Sequence, residues 1–226
     1  MRKFILFFFL LSMSLGAYAQ QGTDTLHYRK AYLFSGTGMG FPLGKTADVL
    51  RPKFSGSLGL DISLKDSKFY VYPSLYTLSF GYNQLKKESE YNYTIENGTA
   101  SMYNLNLAGG IRKQWERLNT YVYIGPGVGL LNEPRAKVDP IKSHVLIEDQ
   151  KSIFLSGKMG FGADYKFKGF YVGLELGLLH NFKSIQDTPV NIMTVMLGLK
   201  TDITKISDKV VSVLGVEGSI SGHTAK

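Results

Sequence analysis

The residues with chemical potential are few and dispersed. Four histidines, His27, His144, His180 and His223, are spread from the amino-terminal lead to the carboxyl-terminal tail, and the chain has no cysteine. A metal centre or hydrolytic site needs such groups to converge, and nothing in this spacing brings them together. A lipid-cleaving His/Ser pair would sit two apart on one strand face. Next to His180, however, position 182 is Phe, and Ser184 reads as already past the strand end. His180 shares the parity of Leu176 and Leu178, which suits an amphipathic ring at a membrane interface. No catalytic, cofactor-binding or metal-ligating residue is therefore expected, and no cofactor. What remains is charge: Asp61, Arg112, Lys158, Asp164, Glu175 and Lys200 each fall on the polar side of an alternating stretch, where opposite signs can pair as a structural network. The sequons at Asn92 and Asn97 carry no meaning outside eukaryotic glycosylation.

The stretch that must position two of these charges runs from Ile153 to Phe182. Leu155, Met159, Phe161, Ala163 and Tyr165 alternate with Ser156, Lys158, Gly160, Gly162 and Asp164, and Val172, Leu174, Leu176 and Leu178 alternate with Gly173, Glu175 and Gly177. Period two means strands, and Lys168-Gly169 between them is a two-residue hairpin turn. That turn pairs Tyr165 with Val172 and Phe161 with Leu176, so every apolar side chain lands on one side. The other side holds Gly, Lys, Asp and Glu, which suits the lumen of a barrel whose apolar face meets lipid.

The same pattern predicts strands near residues 31–41, 52–64, 69–82, 100–113, 119–131, 152–167, 170–182 and 190–202. Linkers 42–51, 83–99 and 132–151 are long, those at 65–68, 114–118 and 168–169 short, and 183–189 intermediate. Short periplasmic turns alternating with long outward loops are the habit of outer-membrane barrels, and they place the amino terminus in the periplasm. The fold expected is all-β, an eight-stranded antiparallel up-and-down transmembrane β-barrel. In the third strand Tyr70, Tyr72 and Tyr76 point inward, and a bulge near Pro73 is expected to turn Leu78 and Phe80 outward again. In the hairpin register Asp164 and Glu175 are diagonal neighbours that need cations from elsewhere. Arg112 and Lys200 are the expected partners, since Lys158 sits about 13 Å away along its strand.

At the amino terminus Arg2 and Lys3 precede the apolar run Phe4 to Leu11, and Ala17-Tyr18-Ala19 has small residues where a signal peptidase reads. The expected divisions are a signal peptide over 1–19, a barrel over 20–203 and a periplasmic tail over 204–226. The tail contains the apolar run Val210 to Val216, readable as a further strand or as loosely ordered chain. The formal charge of +8 falls to +6 without Arg2 and Lys3, and the remaining basic residues are scattered among turns. Nucleic-acid binding, which wants a clustered basic face, is not expected. Fourteen Phe, fourteen Tyr and twenty-five Gly against a single Trp suit aromatic belts around a crowded lumen too narrow for a water channel.

Glycine-spaced strands such as Tyr123-Ile-Gly-Pro-Gly-Val-Gly-Leu130 and Gly157-Lys-Met-Gly-Phe-Gly-Ala-Asp-Tyr165 resemble those of the outer-membrane β-barrel family widespread in Bacteroidota, the porin-like or PorT-like proteins. The resemblance implies residence in the bacterial outer membrane and a structural, anchoring, assembly or secretion role, with no catalytic residues to carry over. The partners expected are outer-membrane lipid and a protein bound at loops 83–99 and 132–151 or at the tail. The alternatives are an outer-membrane enzyme acting on lipid or protein, or a surface adhesin.

Overall fold

The computed structural model describes residues 31–64, 68–87, 93–139, 144–167 and 169–204. Residues 1–19, read as signal peptide, residues 205–226 of the tail, and Lys168 lie outside these residues. Strand β1 spans Ala31–Pro42, a short helix α1 spans Thr46–Val49, and β2 spans Leu50–Pro52. They are followed by β3 (Phe54–Ser63), β4 (Phe69–Tyr82), β5 (Gly98–Trp115), β6 (Leu118–Asp139), β7 (His144–Lys166), β8 (Tyr171–Ile185) and β9 (Thr188–Asp202). Each neighbouring pair is antiparallel, and β1 bonds both β3 and β9, so the ring closes. The fold is an up-and-down β-barrel. Hairpin β7–β8 pairs Tyr165 with Val172, Ala163 with Leu174 and Phe161 with Leu176.

There are nine strand segments but eight barrel positions, because β2 and β3 lie end to end against β4. Leu50 pairs Tyr82 in one register while Gly56 pairs Thr77 in another, one residue out of step. The bulge that the sequence suggested near Pro73 is thus found at Lys53, on the neighbouring strand. Strand β4 itself keeps a single register on β5 from Phe69↔Ile111 to Tyr82↔Gly98. Opposite Pro73 the β3–β4 ladder merely skips Leu60 and Asp61 and resumes unshifted, as expected where a proline removes a donor. Leu78 and Phe80 consequently stay inside with Tyr70, Tyr72 and Tyr76, and both are fully buried.

That correction gives the lumen two halves. Toward the long-loop end Val49, Leu50, Leu78, Phe80, Met102, Phe154, Ile192 and Met196 form an apolar plug, capped by α1. Toward the short-turn end the interior is aromatic and charged, with Tyr70, Tyr72, Tyr121 and Tyr123 packed together. The rings need glycine opposite them: a Cβ on Gly110 would meet the Tyr70 ring, and one on Gly160 would reach the Tyr123 hydroxyl at 2.5 Å. Outside, Leu105, Ile111, Ile124, Leu155, Phe161, Leu174 and Leu197 are all exposed. A closed ring of antiparallel ladders with an apolar exterior is a transmembrane barrel of the outer-membrane kind.

Two connections differ from expectation. Residues 132–151 are mostly strand rather than loop, with Asn132↔Lys151 through Asp139↔His144 paired. The 183–189 link is a tight hairpin with Ile185 opposite Thr188 and two left-handed residues between them, Gln186 (φ 50°) and Asp187 (φ 61°). Positive φ at both central residues matches the right-handed twist of the flanking strands.

The buried plug and the lipid face should respond differently to truncation. Phe80→Ala should cost about 3–5 kcal/mol in urea unfolding from lipid vesicles, because the cavity it leaves is walled by fixed strands. Phe161→Ala, 56% exposed on the outer face, should cost much less. Equal losses would place Phe80 outside the lumen.

Candidate functional site

All six charged residues with lumen parity are buried inside the barrel. In the lower cluster Arg112 of β5 donates through Nη1 to both Asp61 carboxylate oxygens, at 2.6 and 2.8 Å, and through Nη2 to Ser63 Oγ at 2.5 Å. Lys200 Nζ lies 2.5 Å from Asp61 Oδ2 and 3.0 Å from Asp164 Oδ2, which also accepts from Asn119 Nδ2 at 3.1 Å. Lys200 therefore bridges carboxylates from β3 and β7, while the Arg112 guanidinium lies over the Tyr70 ring at 5.0 Å.

The upper cluster centres on Glu175 of β8. Its Oε1 accepts from Tyr76 Oη at 2.5 Å, Tyr123 Oη at 2.8 Å and Lys158 Nζ at 3.2 Å, and its Oε2 accepts from Tyr72 Oη at 3.2 Å. Lys158 is thus the cation of Glu175, against the expectation that separation along the strand would keep them apart. The reason is local. Lys158 is registered opposite Leu179, and between it and Glu175 on the inner face stand only Gly160 and Gly177. The lysine stem runs along that glycine trough, so that a Cβ on Gly177 would meet Lys158 Cε at 2.9 Å. Its ammonium also faces the Tyr76 ring. The tyrosine donors are readable only in part: Tyr72, Tyr76 and Tyr123 all have inward parity, but nothing along the chain says that rings from β4 and β6 reach one carboxylate on β8.

Three carboxylates and three cations leave this interior without net charge. Such pairs repay their desolvation only with close geometry and further hydrogen bonds, which the tyrosines and Asn119 supply. Between the two clusters lies a void of about 10 Å³ among Phe34, Asp61, Tyr70, Tyr72, Tyr121 and Lys200, about the volume that one water needs. The arrangement can hold the strands in register, its six charged side chains being engaged with one another. His180 is exposed, with Nδ1 2.7 Å from Asn191 Oδ1 and its ring edge-on to Phe182. Strand β8 continues to Ile185, so Ser184 lies within it, exposed and inside the irregular stretch of β8–β9 pairing between Asn181 and Ile185. Among the described residues no three His, Cys, Asp or Glu side chains form a metal-sized group.

A second constellation sits at the long-loop end. The last β5–β6 pair is Ser101↔Asn132 and the first β7–β8 pair is Ser156↔Asn181. Beyond these, β6 and β7 continue as a two-stranded ribbon projecting past the barrel. Its base is pinned by Gln84 Oε1, which accepts from Ala136 N at 2.9 Å, beside a buried Arg135–Glu133 ion pair at 2.6 Å. Its apolar residues Val145, Leu146 and Ile147 are exposed. Nearby, Gln186 Oε1 accepts from the backbone N–H groups of Leu85 and Lys86 at 2.6 and 2.8 Å, and Lys86 Nζ pairs with Asp187 at 2.5 Å. That lysine holds the exposed Asp187 carboxyl below the usual carboxylate range.

No family model matches the chain, and no curated protein sequence matches it. Among solved structures, Neisserial surface protein A is similar with a TM-score of 0.49 at 10% identity, over 76% of this chain and 96% of that one. The attachment invasion locus protein Ail of Yersinia pestis gives 0.45 at 12% identity, over 77% and 99%. The amino-terminal β-barrel domain of Pseudomonas aeruginosa OprF gives 0.40 at 10%, over 76% and 98%. The assignment of this chain as an outer-membrane-type barrel rests on its own closed ladder and apolar exterior.

Breaking the upper cluster should be costlier than dissolving it. Glu175→Gln alone should lose about 3–5 kcal/mol because it strands Lys158 in the lumen, whereas Glu175→Gln with Lys158→Met should lose less than the sum of the single changes. Additive costs in lipid would show that the two side chains do not interact.

At the loops the Lys86–Asp187 pair has a depressed carboxyl pKa. Its contribution is therefore present above the unfolded value and lost only as pH falls through the folded one. Gln186 makes the bonds that survive this change. After correction for intrinsic rates, Gln186→Ala should speed exchange at the Leu85 and Lys86 amides about tenfold, and acidification should do so far less. A pH response larger than the Gln186→Ala response would contradict this order.

Proposed function

We propose that the chain is a non-enzymatic component of the bacterial outer membrane, a rigid barrel that holds the β6–β7 ribbon outside the bilayer as a docking edge for a protein partner. The observation that carries this reading is the ribbon itself. From Val145 to Leu155, among the described residues, strand β7 pairs with β6 on one side and with no strand on the other. An open edge of alternating donors and acceptors, beside exposed Val145, Leu146 and Ile147 (71% exposed), is suited to strand addition by another chain. The non-enzymatic reading is supported by the lumen, where Asp61, Asp164 and Glu175 are all engaged with cations. The resemblance to porin-like and PorT-like barrels of Bacteroidota adds assembly or secretion as the process served, with residues 1–19 removed on export and residues 83–99 and 204–226 as further attachment points.

A photo-crosslinking residue placed at Ile147 in living cells should yield a protein adduct of discrete mass, and one at Phe161 on the lipid face should not. Replacing residues 137–146 by Asn-Gly should abolish an adduct formed from Leu85 with the same partner while leaving the barrel folded. A ribbon position that captures no protein would overturn this reading.

A further inference from the structure

The exterior is aliphatic along most strands, and one sector departs from this. The outward positions of β4 run Phe69, Val71, Pro73 and Leu75, then change to Thr77, Ser79 and Gly81; those of β5 run Ile111, Leu107 and Leu105, then Tyr103, Ser101 and Thr99. Thr37 of β1 and Gly56 of β3 continue the row, since Thr37 pairs Gly56, Gly56 pairs Thr77 and Thr77 pairs Tyr103. Together they form an outward-facing cavity of about 260 Å³, walled by Phe54 (73% exposed) and Tyr103 (49% exposed) and floored by Gly56, Ser79 and Ser101. Thr37 and Thr77 donate to the Ser55 and Gly56 carbonyls at 3.5 and 3.3 Å, whereas the Ser79 and Ser101 hydroxyls face the hydrocarbon side, where an unpartnered hydroxyl is costly and a polar occupant would satisfy it.

The bulge at Lys53 supplies the second half of the site. It leaves Arg51, Pro52, Lys53 and Phe54 exposed in succession, so that two cations and an aromatic share the rim of the hollow. Arg51 lies across Gly81, where an added Cβ would meet Arg51 Cβ at 3.3 Å and Lys53 Cε at 3.9 Å. Arg51 Nη1 donates to Asn97 Oδ1 at 3.4 Å and Lys53 Nζ to Thr99 Oγ1 at 2.8 Å. Both acceptors are neutral, and among the described residues no carboxylate pairs with either cation. The site opens sideways on the barrel wall at the long-loop end, and because outer-membrane barrels carry their long loops on the outside, that end belongs to the outer leaflet.

We propose that this hollow binds the phosphorylated sugar headgroup of an outer-leaflet glycolipid. Arg51 and Lys53 take the phosphate, as paired cations at a membrane surface do. Thr77, Ser79 and Ser101 meet the sugar hydroxyls, and Phe54 and Tyr103 flank the ring and the first carbons of the acyl chains. The site is independent of the ribbon.

The test uses the full chain in phosphatidylcholine nanodiscs doped with bisphosphorylated lipid A, or with the same lipid after removal of its phosphates, and counts retained lipid by native mass spectrometry. The protein should retain the phosphorylated form about tenfold more strongly than the dephosphorylated one. Arg51→Gln with Lys53→Gln should erase the preference. Ser101→Phe, which fills the hollow and keeps both charges, should erase it too. Heat-dependent gel mobility confirms that each variant is folded, both changes being on the outer surface. Loss with the charge variant alone would mean diffuse surface attraction and overturn the site. So would equal retention of the two lipids, retention untouched by either variant, or displacement of the lipid by millimolar inorganic phosphate.

Discussion

Closure of the hydrogen-bonded ring is the constraint on which the rest of this structure depends. In hydrocarbon an unpaired backbone group has no water to turn to, so the pairing of β1 with β9, from Tyr32↔Asp202 to Pro42↔Ile192, is what makes the other ladders tolerable in a bilayer. Closing so few strands fixes a narrow lumen. Everything inside must then fit a space in which two large side chains cannot stand opposite each other. The glycines facing Tyr70 and Tyr123 follow from this geometry. So does the glycine trough that lets Lys158 reach Glu175.

The two halves of the lumen meet that limit by different chemistry. Near the short turns, three acids and three bases are interleaved with tyrosines that donate to Glu175 and stack among themselves. Ion pairs buried this way contribute modestly to net stability, but they penalise any slip in register severely, since a shift of one residue turns each charge out into lipid. Toward the long loops the plug of Leu78, Phe80, Met102 and Ile192 needs no such matching and gains from apolar burial alone. The result is a filled and rigid cylinder.

The two surfaces proposed for interaction lie where the barrel's own rules lapse. The β6–β7 ribbon outruns its neighbours and exposes an edge of the kind that ring closure pairs along the barrel wall. The Lys53 bulge breaks the inward–outward alternation of one strand and sets cations above a row of hydroxyls. Both features lie at the long-loop end, and both depend on the cylinder beneath them being inflexible.

Alternation along the chain was enough to read the barrel, because side-chain period two is a local property. Leu155, Met159 and Phe161 against Lys158, Gly160 and Gly162 determine the inner and outer faces without reference to any other strand. The inward parity of Asp61, Arg112, Lys158, Asp164, Glu175 and Lys200 was legible for the same reason. Their partners were not: Lys158 meets Glu175 through glycines on two strands, and Lys200 joins Asp61 to Asp164 across the lumen. The bulge was assigned to Pro73 because proline is the visible local defect. The true offset at Lys53 arises from matching β2 and β3 to β4, and the ribbon at 132–151 hid behind charged, loop-like composition. Which face a side chain takes follows from its own backbone, and the sequence by itself determined that. What it touches across a closed ring follows from the stagger and proximity of strands distant along the chain, and only the tertiary structure decided it.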